Sequence, residues 1–396
     1  MTTGASKAAT WETDNTPSVV VSGKVDGKAL RTRHRERIQR DTSAVTILEG
    51  KSALELGDAI CEAVVPKRAP ATKILLKPNI CGIDAVKDPP GPGGDDGVKG
   101  RTTDPEFVRG IVHCLKRRGH TDVTIAEGCG LPHKAFMKLL DVSGYARMAA
   151  EEHVGLVGMN DDGVFDKEGD RPGEPLAVTG IGDTLVPKLL LPRILAEALD
   201  GGMFISVPKV KTHRFSVVSL AIKGGQGVVM TSDAAPAHQQ KWRMHKELND
   251  YMKPKDPDAP EDRKAYVADL TAFAKRMSAV LEIAAPDVTL ADGAPSMGGD
   301  GFQQLVPSKE LVAIGGTNPI YVDVAGAQLL GLWNNARLAA GLGGFKTSPL
   351  IEIAAKDFGV DTSKLVVVGS GAGLLGKPRP VHFKALAPFQ IEFVPP

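Results

Sequence analysis

The chain reads as an α/β protein, a doubly wound, mostly parallel, Rossmann-like sheet flanked by helices. Three observations predict this class. Short runs rich in Val, Ile and Leu alternate with longer runs of helical period. Between residues 73 and 128 a strand, a helix and a strand follow one another as a βαβ unit, which implies parallel strands covered by helices. Of 396 residues, 42% are hydrophobic and 24% charged, ordinary values for a chain that buries a core.

Each element follows from its own stretch. AVTILE (44–49) reads as a strand and SALELGDAICEAVV (52–65) as a helix, apolar at Leu54, Leu56, Ile60, Ala63 and Val64. KILLKPN (73–79) is a strand ended by proline. DPEFVRGIVHCLKRRG (104–119) is a helix: Asp104 can cap it, Pro105 suits its first turn, Lys116, Arg117 and Arg118 suit its last, and Gly119 terminates it. DVTIAEG (122–128) and VGLVGM (154–159) are strands. LPRILAEAL (191–199) is a short helix, and MFISVPK (203–209) is a strand that Pro208 takes out of the sheet. RKAYVADLTAFAKRMSAVLEIA (263–284) is an amphipathic helix. VTLADG (288–293) and ELVAIGG (310–316) are strands, NPIYVDVAGAQLLGL (318–332) a helix, and KLVVVGS (364–370) a strand.

Residues 1–43 read as a polar, solvated or disordered arm. Its basic run RTRHRERIQR (31–40) has a contact to a partner subunit or an anion as the functional alternative. Residues 44–396 form the α/β domain, as one body or as two lobes, with an active-site excursion or lid over the polar, proline-rich 231–262.

Several function classes are disfavoured. The formal net charge of +1 gives no field for nucleic acid or a membrane surface, and aromatics at 5% weaken base stacking. No run approaches the eighteen apolar residues of a membrane span. The N-terminus has no apolar signal core, which predicts the cytoplasm. The four cysteines, Cys61, Cys81, Cys114 and Cys129, include no CxxC pair, so neither an iron–sulfur cluster nor a disulfide framework is expected.

In doubly wound sheets, ligands bind beyond the carboxyl ends of the strands. Those positions carry Lys77, Asn79 and Cys81; Glu127, Cys129 and His133; Lys209, Lys211, His213 and Arg214; and Asp292 and Asp300. Lys77, Lys209, Lys211 and Lys223 would face one crevice, where like charges repel unless an anion sits among them. Gly224, Gly225 and Gly227 would let backbone N–H groups reach that anion. Asn79, Lys77, Lys209, Lys223 and Gly225 are thus the anion-binding candidates. His213, Lys211 and Asp292 are the catalytic ones, His213 as general acid/base. Asp300 and His245 are metal-ligand candidates, with His238 seven residues before His245 as the alternative pair. Asp323 suits either the rim or a structural cap. Cys81 and Cys129 are open to a nucleophilic, ligand or redox role, against the commoner case of small buried cysteines. No P-loop, dinucleotide fingerprint or nucleophile elbow is present.

On these residues the chain resembles the DUF362 family. The matching pieces run over residues 73–335: KILLKPN, TTDPEFVRGIVHCLKRRG, VTIAEG, ISVPKVKTH (205–213), LAIKGGQG (220–227), His245 in KWRMH, LADGAPSMGGDG (290–301) and YVDVAGAQLLG (321–331). The PKxKTH block followed by A-I-K is the specific part. The ferredoxin-like cysteine segment of several members is missing here, so cluster chemistry is not carried over. Gly224 stands where an asparagine often follows the lysine. A weaker similarity of layout, over KILLKPN, TTDP and VTIAEG, links the chain to the N-terminal part of the lactate racemase family, which uses a nickel-pincer nucleotide. No catalytic residue carries over on that basis.

The expectation is an enzyme of isomerase or lyase type on a small carboxylate or phosphorylated metabolite. The alternative is a non-catalytic protein that holds or delivers a cofactor or metal. A divalent metal is one cofactor option, no nucleic-acid or membrane partner is expected, and a homo-oligomer is allowed.

Overall fold

A computed structural model describes residues 17–81, 98–128, 133–159, 175–213, 216–229, 260–302 and 305–375, and two short strands, Phe383–Lys384 and Glu392–Phe393. The main sheet runs, in spatial order, Val367–Val368, Val45–Glu49, Val312–Gly316, Val288–Gly299, Met203–Val207, Ile74–Pro78, Val123–Glu127 and Gly155–Gly158. The last five are mutually parallel. Val312–Gly316 runs antiparallel to both its neighbours. The chain returns to it from Gly299 without a helix, and a parallel return needs a crossover. A separate four-stranded sheet joins Val20–Val21, Lys24–Asp26, Pro175–Thr179 and Leu190–Pro192.

The apolar runs are continuous because both faces of the sheet are covered. Leu76, Ile125, Ile205 and Leu290 point into one core with Leu56, Ile60, Phe107 and Ile111, which come from helices Ala53–Val64 and Pro105–Arg117. Leu75, Phe204, Ile47 and Ile314 point into the other core, with Phe273 and Met277 of Pro260–Ile283 and Ile320 and Val324 of Pro319–Leu329. Alternation along each strand thus feeds two layers of helices, as expected of a doubly wound sheet. The caps are as read: the Asp104 carboxylate accepts the Glu106 N–H at 2.8 Å, and Pro105 opens the helix.

Three expectations are corrected. The basic run is no loose arm, because Gly27–Arg40 is a helix capped by Asp26. Leu30, His34 and Ile38, spaced by four, are buried as one stripe on its inner side. Arg31 and Arg35 pair with Glu282 at 2.9 and 3.0 Å, and Arg37 donates to the Pro286 and Thr317 carbonyls. Burial, with Arg37 and Arg33 beside it, holds the His34 ring well below its ordinary pKa. Second, the strand expected over 364–370 is only Val367–Val368. Third, Cys61 and Cys114 form a disulfide between the helices Ala53–Val64 and Pro105–Arg117. Those helices cross closely. A Cβ on Gly57 would lie 1.9 Å from the Phe107 carbonyl oxygen, so only glycine fits there. Of the excursion 231–262, residues up to 259 lie outside the described residues.

The bridge closes a loop of 53 residues. Chain entropy assigns such a loop about 4 kcal/mol. Serine at both Cys61 and Cys114 is expected to lower urea-unfolding stability by about that amount. Both thiols should resist alkylation until a reductant is added; free thiols in the untreated protein would contradict the pairing.

Candidate functional site

The carboxyl ends of Ile74–Pro78, Val123–Glu127 and Met203–Val207 lie side by side. Two lysines there are tied to carboxylates on the next strand. Lys77 Nζ lies 2.9 Å from Glu127, with both side chains at most 4% exposed. Glu127 also accepts the N–H groups of Ile80 at 3.1 Å and Gly128 at 2.7 Å. Lys209 Nζ lies 2.8 Å from Asp292, its register partner. The Asp292 carboxylate further accepts the N–H groups of Asp104 and Ala294, each at 2.8 Å. A buried charge needs such pairing and bonding to be tolerated. Lys77 and Lys209 are therefore not free anion ligands, and the fully buried Asp292 holds strands together. The sequence reading gave neither lysine a carboxylate partner.

The loop 98–104 stitches the strand ends. Thr103 Oγ1 donates to the Val207 carbonyl at 2.7 Å and accepts from Asn79 N–H at 3.0 Å. Tyr145 O–H donates to the Thr103 carbonyl at 3.0 Å. Asn79 is half-buried, and its side-chain amide donates to the Arg101 carbonyl at 2.8 Å. Arg101, itself buried, donates through Nε to the Phe302 carbonyl.

The strand ends at Val207, just before Pro208, but the chain does not leave the sheet there, contrary to expectation. Lys209–His213 is a further strand along Val288–Gly299, with a register shift between Lys209 and Lys211, and pairs antiparallel with Val217–Ser219. Pro208 lacks the N–H that a regular ladder uses, while its carbonyl accepts Asp292 N–H at 2.8 Å. Beyond this kink Lys211 is buried. Its Nζ donates to the carbonyls of Arg101 at 2.9 Å and Gly301 at 3.1 Å, lies 3.5 Å from Cys81 Sγ, and sits 5.0 Å from the Phe302 ring centroid. Burial pushes its pKa down. His213 packs edge-on against Phe302 at 5.0 Å. His213 Nδ1 accepts the Ser216 N–H at 3.3 Å, which puts the proton of a neutral ring on Nε2. Asp300 is buried and accepts the Phe302 N–H at 2.8 Å.

Lys223 sits on the four-residue helix Ala221–Gly224. The Asp323 carboxylate accepts the N–H groups of Ala221 at 2.8 Å and Ile222 at 3.0 Å, so its role is a structural cap. Burial raises the Asp323 pKa to about 7. Lys223 is half-buried, and its one hydrogen-bond partner among the described residues is the side-chain oxygen of Gln226 at 2.7 Å. Desolvation, with the charge of Lys211 next in weight, lowers its pKa to about 8. The turn after it rests on the first ion pair. A Cβ on Gly227 would lie 2.2 Å from Glu127 Oε1 and 2.8 Å from Lys77 Nζ, so glycine is obligatory there. A Cβ on Gly225 would meet nothing closer than Met277 at 3.5 Å, so the close approach expected of Gly225 belongs to Gly227.

The structure thus gathers Lys77, Asn79, Lys209, Lys211, His213, Lys223, Asp292 and Asp300 around one end of the sheet. Reading the sequence missed Glu127 as a lysine partner, and Thr103, Arg101, Gln226 and Phe302 altogether. Thr103 and Arg101 stand in a quoted loop, but nothing in their spacing announces their bonds. His245, His238, Cys129 and Arg214 lie outside the described residues. Among the described residues no group of three His, Cys, Asp or Glu side chains is placed to hold a metal ion. None of the described helices is long and apolar enough to cross a membrane.

Residues 74–328, more than half of the chain, match the family model DUF362, a domain of unknown function. No curated protein and no solved structure matches.

Two outcomes follow from the buried charges. Glu127→Gln leaves Lys77 without its counter-charge and is expected to cost about 3 kcal/mol in urea unfolding. Adding Lys77→Met should recover most of that loss, and no recovery would show that the pair is not the cause. For Asp323, the folded state binds its proton more tightly than the unfolded state. Stability is therefore fully present below about pH 4 and lost as pH rises towards about 7, by on the order of 4 kcal/mol. Asp323→Asn should remove this slope relative to the parent, read from unfolding curves across that window.

Proposed function

The chain belongs to the DUF362 family, and within it we propose an enzyme that acts on a small carboxylate or phosphorylated metabolite by isomerase- or lyase-type proton transfer. One contrast carries this reading. Lys77 and Lys209 each face a buried carboxylate, whereas Lys211 and Lys223 have no carboxylate partner among the described residues. Two uncompensated ammonium groups in a poorly solvated place raise each other's energy, and a bound anion relieves both. Lys211 is already held by two carbonyls, so it supplies a fixed positive field. Lys223, half-buried but not fully enclosed, is the group that meets the ligand. His213, with its Nδ1 engaged by Ser216, is the candidate to move a proton through Nε2. A carrier that only holds an anionic cofactor would use the same lysines; turnover separates it from the enzyme.

Malonate tests the anion site, because its charge is constant above about pH 7. Lys223 loses its proton near pH 8. Malonate affinity measured by calorimetry should therefore fall about tenfold between about pH 7 and pH 9. Lys223→Arg, charged throughout, should bind with little pH dependence. Lys223→Ala should bind weakly at both values. A parent affinity that is flat with pH would count against Lys223 as the ligand.

A further inference from the structure

We propose that Lys223 is a Schiff-base lysine and that the substrate class is a small 2-oxo acid, a refinement that rests on the anion site described above. Four lysines converge here, and only one is arranged for amine chemistry. Lys77 and Lys209 are locked in ion pairs. Lys211 is buried, with its Nζ directed at two carbonyls and a thiol. Lys223 alone of the four is partly exposed, and its one partner among the described residues is a neutral amide oxygen. An amide oxygen accepts a proton from an amine as well as from an ammonium, so the Nζ lone pair can be released towards a ligand without breaking an ion pair.

The surroundings favour that release. Lys223 lies within electrostatic reach of the Lys211 and Lys77 charges, and a lysine beside other cations gives up its proton more readily. An arginine would serve a pure anion clamp better, whereas a lysine in this setting is suited to attack a carbonyl. The turn that holds Gln226 is fixed from below, because Gly227 lies against the Lys77–Glu127 pair.

The step balances without an oxidant or reductant. The Lys223 ammonium first gives one proton to solvent. The amine lone pair then attacks the carbonyl carbon of R–CO–COO−, a C–N bond forms as the C=O π bond breaks, and one proton passes from the nitrogen to the oxygen to give the neutral carbinolamine. The carbinolamine takes up one proton and loses water, leaving the protonated imine. In sum, Lys–NH3+ and R–CO–COO− give Lys–NH+=C(R)–COO− and H2O. The positive field of Lys211 draws the carboxylate, and the iminium acts as the electron sink for proton removal at the adjacent carbon.

The experiment is reductive trapping of the full chain with pyruvate and cyanoborohydride at about neutral pH, read by intact mass and peptide mapping. A single 1-carboxyethyl group on Lys223 is expected. Pyruvamide, the uncharged counterpart, should label at least tenfold more slowly, and malonate should compete with pyruvate. Lys223→Arg should lose the adduct while still binding malonate. Labelling spread over surface lysines, or equal rates for pyruvate and pyruvamide, would overturn the proposal. Malonate binding with no adduct would overturn the Schiff base and leave the anion site standing. Loss of both would remove both.

Discussion

Two buried lysine–carboxylate pairs at the carboxyl ends of the parallel strands are the constraint on which the rest of this structure depends. A charge at that depth is tolerated only with a partner and a full set of hydrogen bonds. Lys77–Glu127 ties Ile74–Pro78 to Val123–Glu127. Lys209–Asp292 ties the kinked strand after Pro208 to Val288–Gly299. The remaining valences of both carboxylates recruit backbone N–H groups, three from the segments between strands and helices and one, Ala294, from the strand Val288–Gly299 itself. Loop positions are thereby dictated from the sheet outwards. Thr103 and Asp104 are drawn onto the strand ends, and Gly227 must lack a side chain to lie over the first pair.

This separates two classes of charge that look alike in sequence. Lys77 and Lys209 belong to the framework. Lys211 and Lys223 stand beside it without carboxylates among the described residues, and both have lowered pKa values because burial penalises their charge. The neutralised pairs give a rigid floor, and the two lysines without carboxylates among the described residues stand beside it. Free-energy cost concentrated at a few groups, in a fold otherwise locally consistent, is the pattern expected at functional sites.

Much of the architecture was legible. Strands such as KILLKPN and VTIAEG, and the capped helix after Asp104, carry their period and punctuation in the residues themselves. The antiparallel course of Val312–Gly316 was not legible, because strand direction depends on the connection and not on the strand. The helix Gly27–Arg40 hid its stripe of Leu30, His34 and Ile38 among arginines whose partners, Glu282, Pro286 and Thr317, lie far along the chain. At the site the lysines were visible as residues following strands. Their fates were not, since Glu127 stands 50 residues from Lys77 and meets it only once the two strands are neighbours. Asp323 gave no local sign of capping a helix that begins 102 residues earlier.

The basic helix also bears on what counts as the autonomous folding unit. The conserved-domain match starts at residue 74, yet Val45–Glu49 lies inside the sheet beside Val312–Gly316, and Gly27–Arg40 seals the opposite core. A fragment cut at the border of the match would expose the flank of Val312–Gly316 and strand Glu282 without its two arginines. The evolutionary module and the thermodynamic one therefore have different edges in this chain.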